Sequence, residues 1–295
     1  MSAVLFSVCL ATSLFAADNN ETATHHFNAH GFDVHVNNGN NGGGNDARGV
    51  SPDIPGQLSY YNGPLMANAK IVLIFWGTYW NAGAGATMAS EITSFRNSSV
   101  GLQSHMSSIA QYNAGTTGFK GAQNDIFDST EPPTAVSDAA LQNEVKKWFS
   151  GMYDVNAIYE VFLPPTSYGV DTDTTTSCGG PNLGWCAYHG SFVDGIRVKY
   201  SMEPYPSCTG CSGPKPAWDD IRNAEHFMTH ETREAMTDPA VGVQYGWRDL
   251  RGYEADDKCA WGGSTFKTLF IENASDGHQY GYQMEYSNAV RGCVK

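Results

Sequence analysis

Hydrophobic positions gather in short, separated runs. Lys70 to Gly77 reads KIVLIFWG, a continuous apolar and β-branched stretch that predicts a strand buried on both faces. Ala157 to Pro165 reads AIYEVFLPP and predicts a second strand, closed by Pro164 and Pro165. Between them the spacing turns helical. ATMASEITSFRNSSVGLQSHMSSIAQYN places Ile92, Phe95, Met106 and Ile109 on core faces of two helical pieces, with His105 among them as an ordinary surface or core histidine. Ala114 to Ser137 is turn-rich. DAALQNEVKKWFSG, from Asp138, predicts a capped amphipathic helix ended by Gly151. Strand, helix, strand is the βαβ rhythm of an α/β sheet. After a polar loop, SYGVDTDTTTSCGGPNLG, the segments WCAYHGSF and IRVKYSMEPYP predict two further strands. Trp218 to Met236 then predicts a helix with Ile221, Ala224, Phe227, Met228 and Ala235 toward a core. Thr237-Asp238-Pro239 ends it, because proline disfavours helical geometry in the residue before it. The fold class expected is mixed α/β with a central sheet.

The ends of the chain change the picture. Residues 1–17, MSAVLFSVCLATSLFAA, carry an apolar run too short for a membrane span and a small-residue end, which read as a secretory signal. Residues 18–56 are rich in Gly, Asn and His and too polar to offset their ordering entropy, so a disordered leader or propeptide is expected there. Residues 57–295 then form one domain. With Cys9 in the signal, six cysteines remain, an even number that argues for disulfides in a secreted protein. The simplest pairing is local: Cys178 with Cys186, Cys208 with Cys211, and Cys259 with Cys293, out of fifteen connectivities that six cysteines allow. Sequons at Asn20, Asn97 and Asn273 suit a secreted glycoprotein. Net charge is −13 and no Lys/Arg cluster stands out, which excludes nucleic acid and anionic membranes as expected partners. A monomer is expected.

Candidate chemistry concentrates in HFMTHETREAMTDP, His226 to Pro239. On a helix His226, His230 and Glu234 recur every four residues on one face, and Glu231 directly follows the central histidine. This is the HExxE variant of the metallopeptidase helix, in which two side chains one turn apart bind zinc and the intervening Glu activates water. Twenty residues on, RGYEADDKCAW brings Glu254, Asp256 and Asp257. The predicted zinc ligands are therefore His230, Glu234 and Glu254, with Glu231 as general base and His226 as alternative ligand. Asp257 is the expected residue behind the ligands that orients the histidine.

YYNGPLMANAKIVLIFWGTYW, CAYHG, YSMEPYPSCTGC, HETREAMTDP and GYEADDKCAW stand in an order that resembles a family of secreted bacterial and fungal metallopeptidase-like proteins. That family is distantly similar to the plant EXORDIUM, or phosphate-induced, proteins. The resemblance spans about residues 58–293 and is sharpest in the HExxExxTDP and GxExxDKC blocks, which His230, Glu231, Glu234, Asp238, Glu254, Asp257 and Cys259 match. It implies a single secreted, zincin-like domain stapled by disulfides, with those blocks forming the site and His189 as a possible neighbour. The expected activity is that of a zinc metalloendopeptidase cleaving extracellular protein or peptide. The competing expectation is a non-catalytic, EXORDIUM-like protein associated with cell-wall material, using its 15 tyrosines and 7 tryptophans to stack on sugars.

Overall fold

The computed structural model describes residues 56–112, 114, 124–171, 175–213, 217–260 and 268–295. The expected signal segment and all but the last residue of the leader lie outside them. In chain order the elements are β1 (Ser59–Tyr60), β2 (Lys70–Trp76), α1 (Gly83–Asn97), β3 (Ile126–Asp128), β4 (Ala135–Ser137), α2 (Asp138–Phe149), β5 (Ala157–Phe162), β6 (Tyr168–Val170), β7 (Tyr188–Asp194) and β8 (Ile196–Glu203). They continue with α3 (Asp220–Thr237), β9 (Trp247–Arg248), β10 (Leu269–Asn273), β11 (Gln279–Gln283), β12 (Glu285–Ser287) and β13 (Gly292–Val294). The second helical piece is a 3-10 helix, Leu102–Tyr112. Two short strands, β3 and β4, occupy the stretch read as turns. No helix among the described residues is long and apolar enough to cross a membrane.

Five strands form the central sheet in the order β3-β2-β5-β8-β7. The first four run parallel, and β7 joins the edge antiparallel to β8. Apolar after Lys70, β2 lies inside the sheet between β3 and β5, as a strand covered on both faces must. On one face Val72, Ile74, Tyr159, Val161, Val198, Tyr200 and Met202 meet Leu141, Val145 and Phe149 of α2. That helix begins where the Ser137 hydroxyl accepts the Ala140 N–H, 3.2 Å away, and ends before Gly151, whose φ of 78° is left-handed. On the other face Ile71, Leu73, Phe75, Ile158 and Phe162 meet α1, the 3-10 helix and α3.

Three disulfides staple the loops. Cys259–Cys293 is the pair expected, but the other two are crossed: Cys178 bonds Cys208 and Cys186 bonds Cys211, with Cα separations of 5.6 and 5.5 Å. The local pairings fail because Cys208 and Cys211 flank one 3-10 turn packed against the loop that carries Cys178 and Cys186. Each cysteine of the turn meets one of that loop. Crossing ties the loop before β7 to the loop before α3 over 25 to 30 residues, a longer closure than either local pair would make. Asn97 and Asn273 are both exposed, as glycosylation would need.

Candidate metal centre

Helix α3 is capped by the Asp219 carboxylate, which accepts the Arg222 N–H at 2.9 Å. From Asn223 to Thr237 every residue is buried, including His226, Thr229, His230, Glu231, Thr232, Arg233 and Glu234. A helix polar on most sides normally faces solvent. Here the sheet strands β5, β7 and β8 lie on one side and β11 on the other. The approach of β11 requires Gly281: a Cβ there would stand 2.6 Å from the Arg222 carbonyl oxygen. Its N–H instead donates to Glu225 Oε2 at 2.7 Å.

Register explains which strand residues face this helix. Leu73, Glu160, Ser201 and His189 are Cα partners in succession across β2, β5, β8 and β7. One row of the sheet therefore presents Glu160, Ser201 and His189 on the side of α3. Thr232 donates to Glu160 Oε1 at 2.6 Å, and the His189 Nδ1–H donates to Glu231 Oε2 at 3.4 Å. His189 Nδ1 also stands 3.7 Å from Glu234 Oε2, and its Nε2 3.9 Å from Glu254 Oε2. His189, a possible neighbour on the sequence evidence, thus lies among the predicted ligands.

His230 Nε2 is 3.2 Å from Glu234 Oε2 and 3.8 Å from Asp257 Oδ1. Its Nδ1 faces Gln283 Oε1 at 3.4 Å, and the Gln283 amide donates to the Asp256 carbonyl at 2.7 Å. With the amide's N–H end committed, its oxygen is what His230 meets. Nδ1 then carries the proton and Nε2 the lone pair. Gln283 was not expected from the sequence.

The acidic trio divides. Glu254 faces His189. Asp257 accepts the Glu254 N–H at 3.0 Å and donates its own N–H to Glu234 Oε1 at 3.1 Å, so it holds two of the predicted ligands. Asp256 turns away to the buried guanidinium of Arg233, which also donates to the Gln283 carbonyl. Asp238 terminates the helix, its backbone at φ −143° and ψ 63°, and accepts the Gly246 N–H at 2.8 Å. Glycine is needed at 246, where a Cβ would stand 2.0 Å from the Thr237 carbonyl oxygen. His226 does not join the donors. It packs between Trp218 and Phe227, and burial followed by repulsion from His230 holds its pKa well below the ordinary value.

Donor atoms gather in two trios, each within 4.8 Å: His189, Glu234 and Glu254, and His230, Glu231 and Glu234. The predicted ligands His230, Glu234 and Glu254 are divided between them. Burial, together with repulsion from neighbouring acids, pushes Glu234, Glu254 and Asp257 well above the usual carboxylate range. Burial likewise raises Asp238, to about 6, against the Gly246 N–H and the charges of His189 and Arg248. Burial lowers His189, but Glu231, Glu234 and Asp238 outweigh it and its pKa ends raised. The imidazole and carboxylate set suits zinc and other first-row divalent ions. Among the described residues, His189 Nε2, Glu231 Oε1 and Glu254 Oε1 are buried without a hydrogen-bond partner, which is what atoms reserved for another ligand would be. No family model, curated protein or solved structure matches the chain.

Proposed function

We propose that this protein is a secreted, zinc-dependent hydrolase of peptide bonds. The observation that carries the reading is the convergence of His230, Glu231, Glu234, Glu254 and His189, from one helix, one strand and one loop, in a buried cluster with unsatisfied polar atoms. His230 and Glu234 would supply two ligands one helical turn apart, and Glu254 and His189 are the donors available for the remaining positions. Bound there, zinc supplies an acidified water and polarises a carbonyl. Glu231 is the proton carrier: Oε2 is tied to His189, while Oε1 takes no hydrogen bond and can accept a proton and return it to a leaving amine. Gln283 and Asp257 hold the histidine and the carboxylates in place.

The mixed sheet, with its antiparallel edge strand β7 beside the HExxE helix, supports the zincin-like reading of the fold. Three disulfides are compatible with an extracellular protein. The test uses protein purified without chelator. Wild-type protein should contain zinc and cleave a denatured protein substrate, and Glu231→Gln should retain zinc while activity falls about 10²- to 10⁴-fold. Absence of zinc, or proteolysis indifferent to Glu231→Gln, would refute the proposal.

A further inference from the structure

Glu234 belongs to both donor trios, and its Oε2 lies between two imidazoles, 3.2 Å from His230 Nε2 and 3.7 Å from His189 Nδ1. Ligands about 2.0–2.1 Å from a tetrahedral ion stand about 3.3 Å apart; His230 and Glu234 meet that spacing, and the donor atoms of each trio lie within 4.8 Å of one another. We infer that the centre is dinuclear: Glu234 bridges one ion on His230, beside Glu231, and a second ion on His189 and Glu254. This rests on the metal-dependent reading above and reassigns His189 and Glu254 from its one ion to a second.

Charge supports two ions over one. Among the described residues, the ion pairs of Glu231, Glu234, Glu254 and Asp257 are with histidines alone. The nearby cations are otherwise engaged: Arg233 with Asp256 and Glu285, and Lys258 with Asp249 at 2.9 Å. Arg248 lies against the rings of Tyr245 and Tyr61. Once these four buried carboxylates give up their protons to metal they share two imidazoles between them, and an unbalanced buried charge is expensive. One divalent ion offsets two of those charges, and two ions offset all four.

The second half of the centre also has its own orphaned atoms. His189 is 7 % exposed and Glu254 5 %, and among the described residues His189 Nε2 and Glu254 Oε1 have no hydrogen-bond partner. Each is held in place by its own element: the strand register carries His189, and the Asp257 carboxylate, which also faces His230 at 3.8 Å, caps the Glu254 N–H. Paired ions bridged by a carboxylate, typically about 3.5–4 Å apart, are a recurrent hydrolytic arrangement.

The experiment counts zinc in the full secreted chain, disulfides intact, after equilibration with buffered free zinc, using inductively coupled plasma mass spectrometry. Two ions per chain are expected, falling to one in His189→Ala and in Glu254→Gln. A stoichiometry of one in wild-type protein, or of two retained by both variants, overturns the inference. Should either variant fail to fold, titration of the metal-free wild-type protein with Co²⁺ decides the same point. Its visible absorption should saturate at two equivalents with a change of slope at one; saturation at one equivalent overturns the inference. One ion with Glu231-dependent proteolysis would reject the dinuclear centre and leave the hydrolase reading intact. No bound metal would reject both.

Discussion

The two faces of the central sheet are built from alternate residues of the same strands, yet they are different kinds of interior. Toward α2, β8 presents Val198, Tyr200 and Met202, and the packing is largely apolar, its polar groups paired: the Tyr200 hydroxyl with Asp138 and Gln142, and Glu144 with Trp148. Toward α3 the same strand presents Ser201 and Glu203, and the neighbouring strands add Glu160 and His189. Burial raises Glu203 well above the carboxylate range, with repulsion from Glu160 and Glu231 adding to it. Apolar packing stabilises a fold directly. A buried polar cluster lowers stability unless it is fully paired, so its presence on one face sets that face apart from packing that serves stability alone.

The sharpest way to break this comparison is to change one residue on each face. Glu231→Gln should reduce catalysis by the largest factor while moving the unfolding midpoint little. Phe149→Ala, in the α2 layer where the ring lies 4.7 Å from that of Tyr159, should do the reverse. It should destabilise by about 3–5 kcal/mol in a denaturant titration and leave turnover per folded molecule unchanged. If Phe149→Ala abolished turnover in protein shown to be folded, the two faces would not be separable.

Metal removal sharpens the contrast next. Asp238 is held at about 6, and Glu234, Glu254 and Asp257 well above their ordinary values, all by burial first. The folded metal-free protein therefore keeps protons that the unfolded chain releases above roughly pH 4. Where the native state binds more protons, stability falls as pH rises. Metal-free protein should melt at progressively lower temperature from pH 5 to pH 8, and saturating zinc, which displaces those protons, should flatten or reverse the trend. The α2 face holds one such acid, Glu144, raised to about 7 by burial and by its contact with Asp128, and Phe149→Ala leaves it in place, so that substitution should shift both curves without altering their slopes. A metal-free protein that grew more stable with rising pH would show that the acidic face is not what limits it.

Much of this architecture was legible in the chain. The apolar run of β2 marked a doubly covered strand, the Asp138 helix and its Gly151 end were readable from local chemistry, and HExxE placed His230, Glu231 and Glu234 on α3. Glu254 and Asp257 were found by their distance in sequence and do sit against the helix. What was missed, or in the case of His189 named only as a possible neighbour, depends on contacts between distant segments. His189 acquires its place through the register of β7 on β8, although the alternation in IRVKYSME, polar at Lys199, Ser201 and Glu203, already signalled a polar face. The crossed disulfides depend on how two loops pack, which local spacing does not encode. His226 has the right helical phase to be a ligand, but Trp218 and Phe227 take up its surroundings.

Gln283 provides the finest test, because it touches no predicted substrate or base and acts only through His230. Its carbonyl oxygen faces His230 Nδ1 at 3.4 Å and is oriented by the amide bond to the Asp256 carbonyl. Removing that acceptor in Gln283→Leu frees the ring to rotate or to move its proton to Nε2, the nitrogen that faces Glu234. Zinc affinity should fall about 10- to 100-fold, the range for the loss of a residue that orients a metal-ligating histidine. Gln283→Glu retains an acceptor for Nδ1 but gives up the bond to Asp256, so recovery of affinity there would assign the effect to the acceptor rather than to packing. Nitrogen-15 NMR of the labelled ring should report Nδ1 protonated in the wild-type protein and in Gln283→Glu. Unchanged affinity in Gln283→Leu would mean that the helix alone orients His230, and that the polar face is held together from one side only.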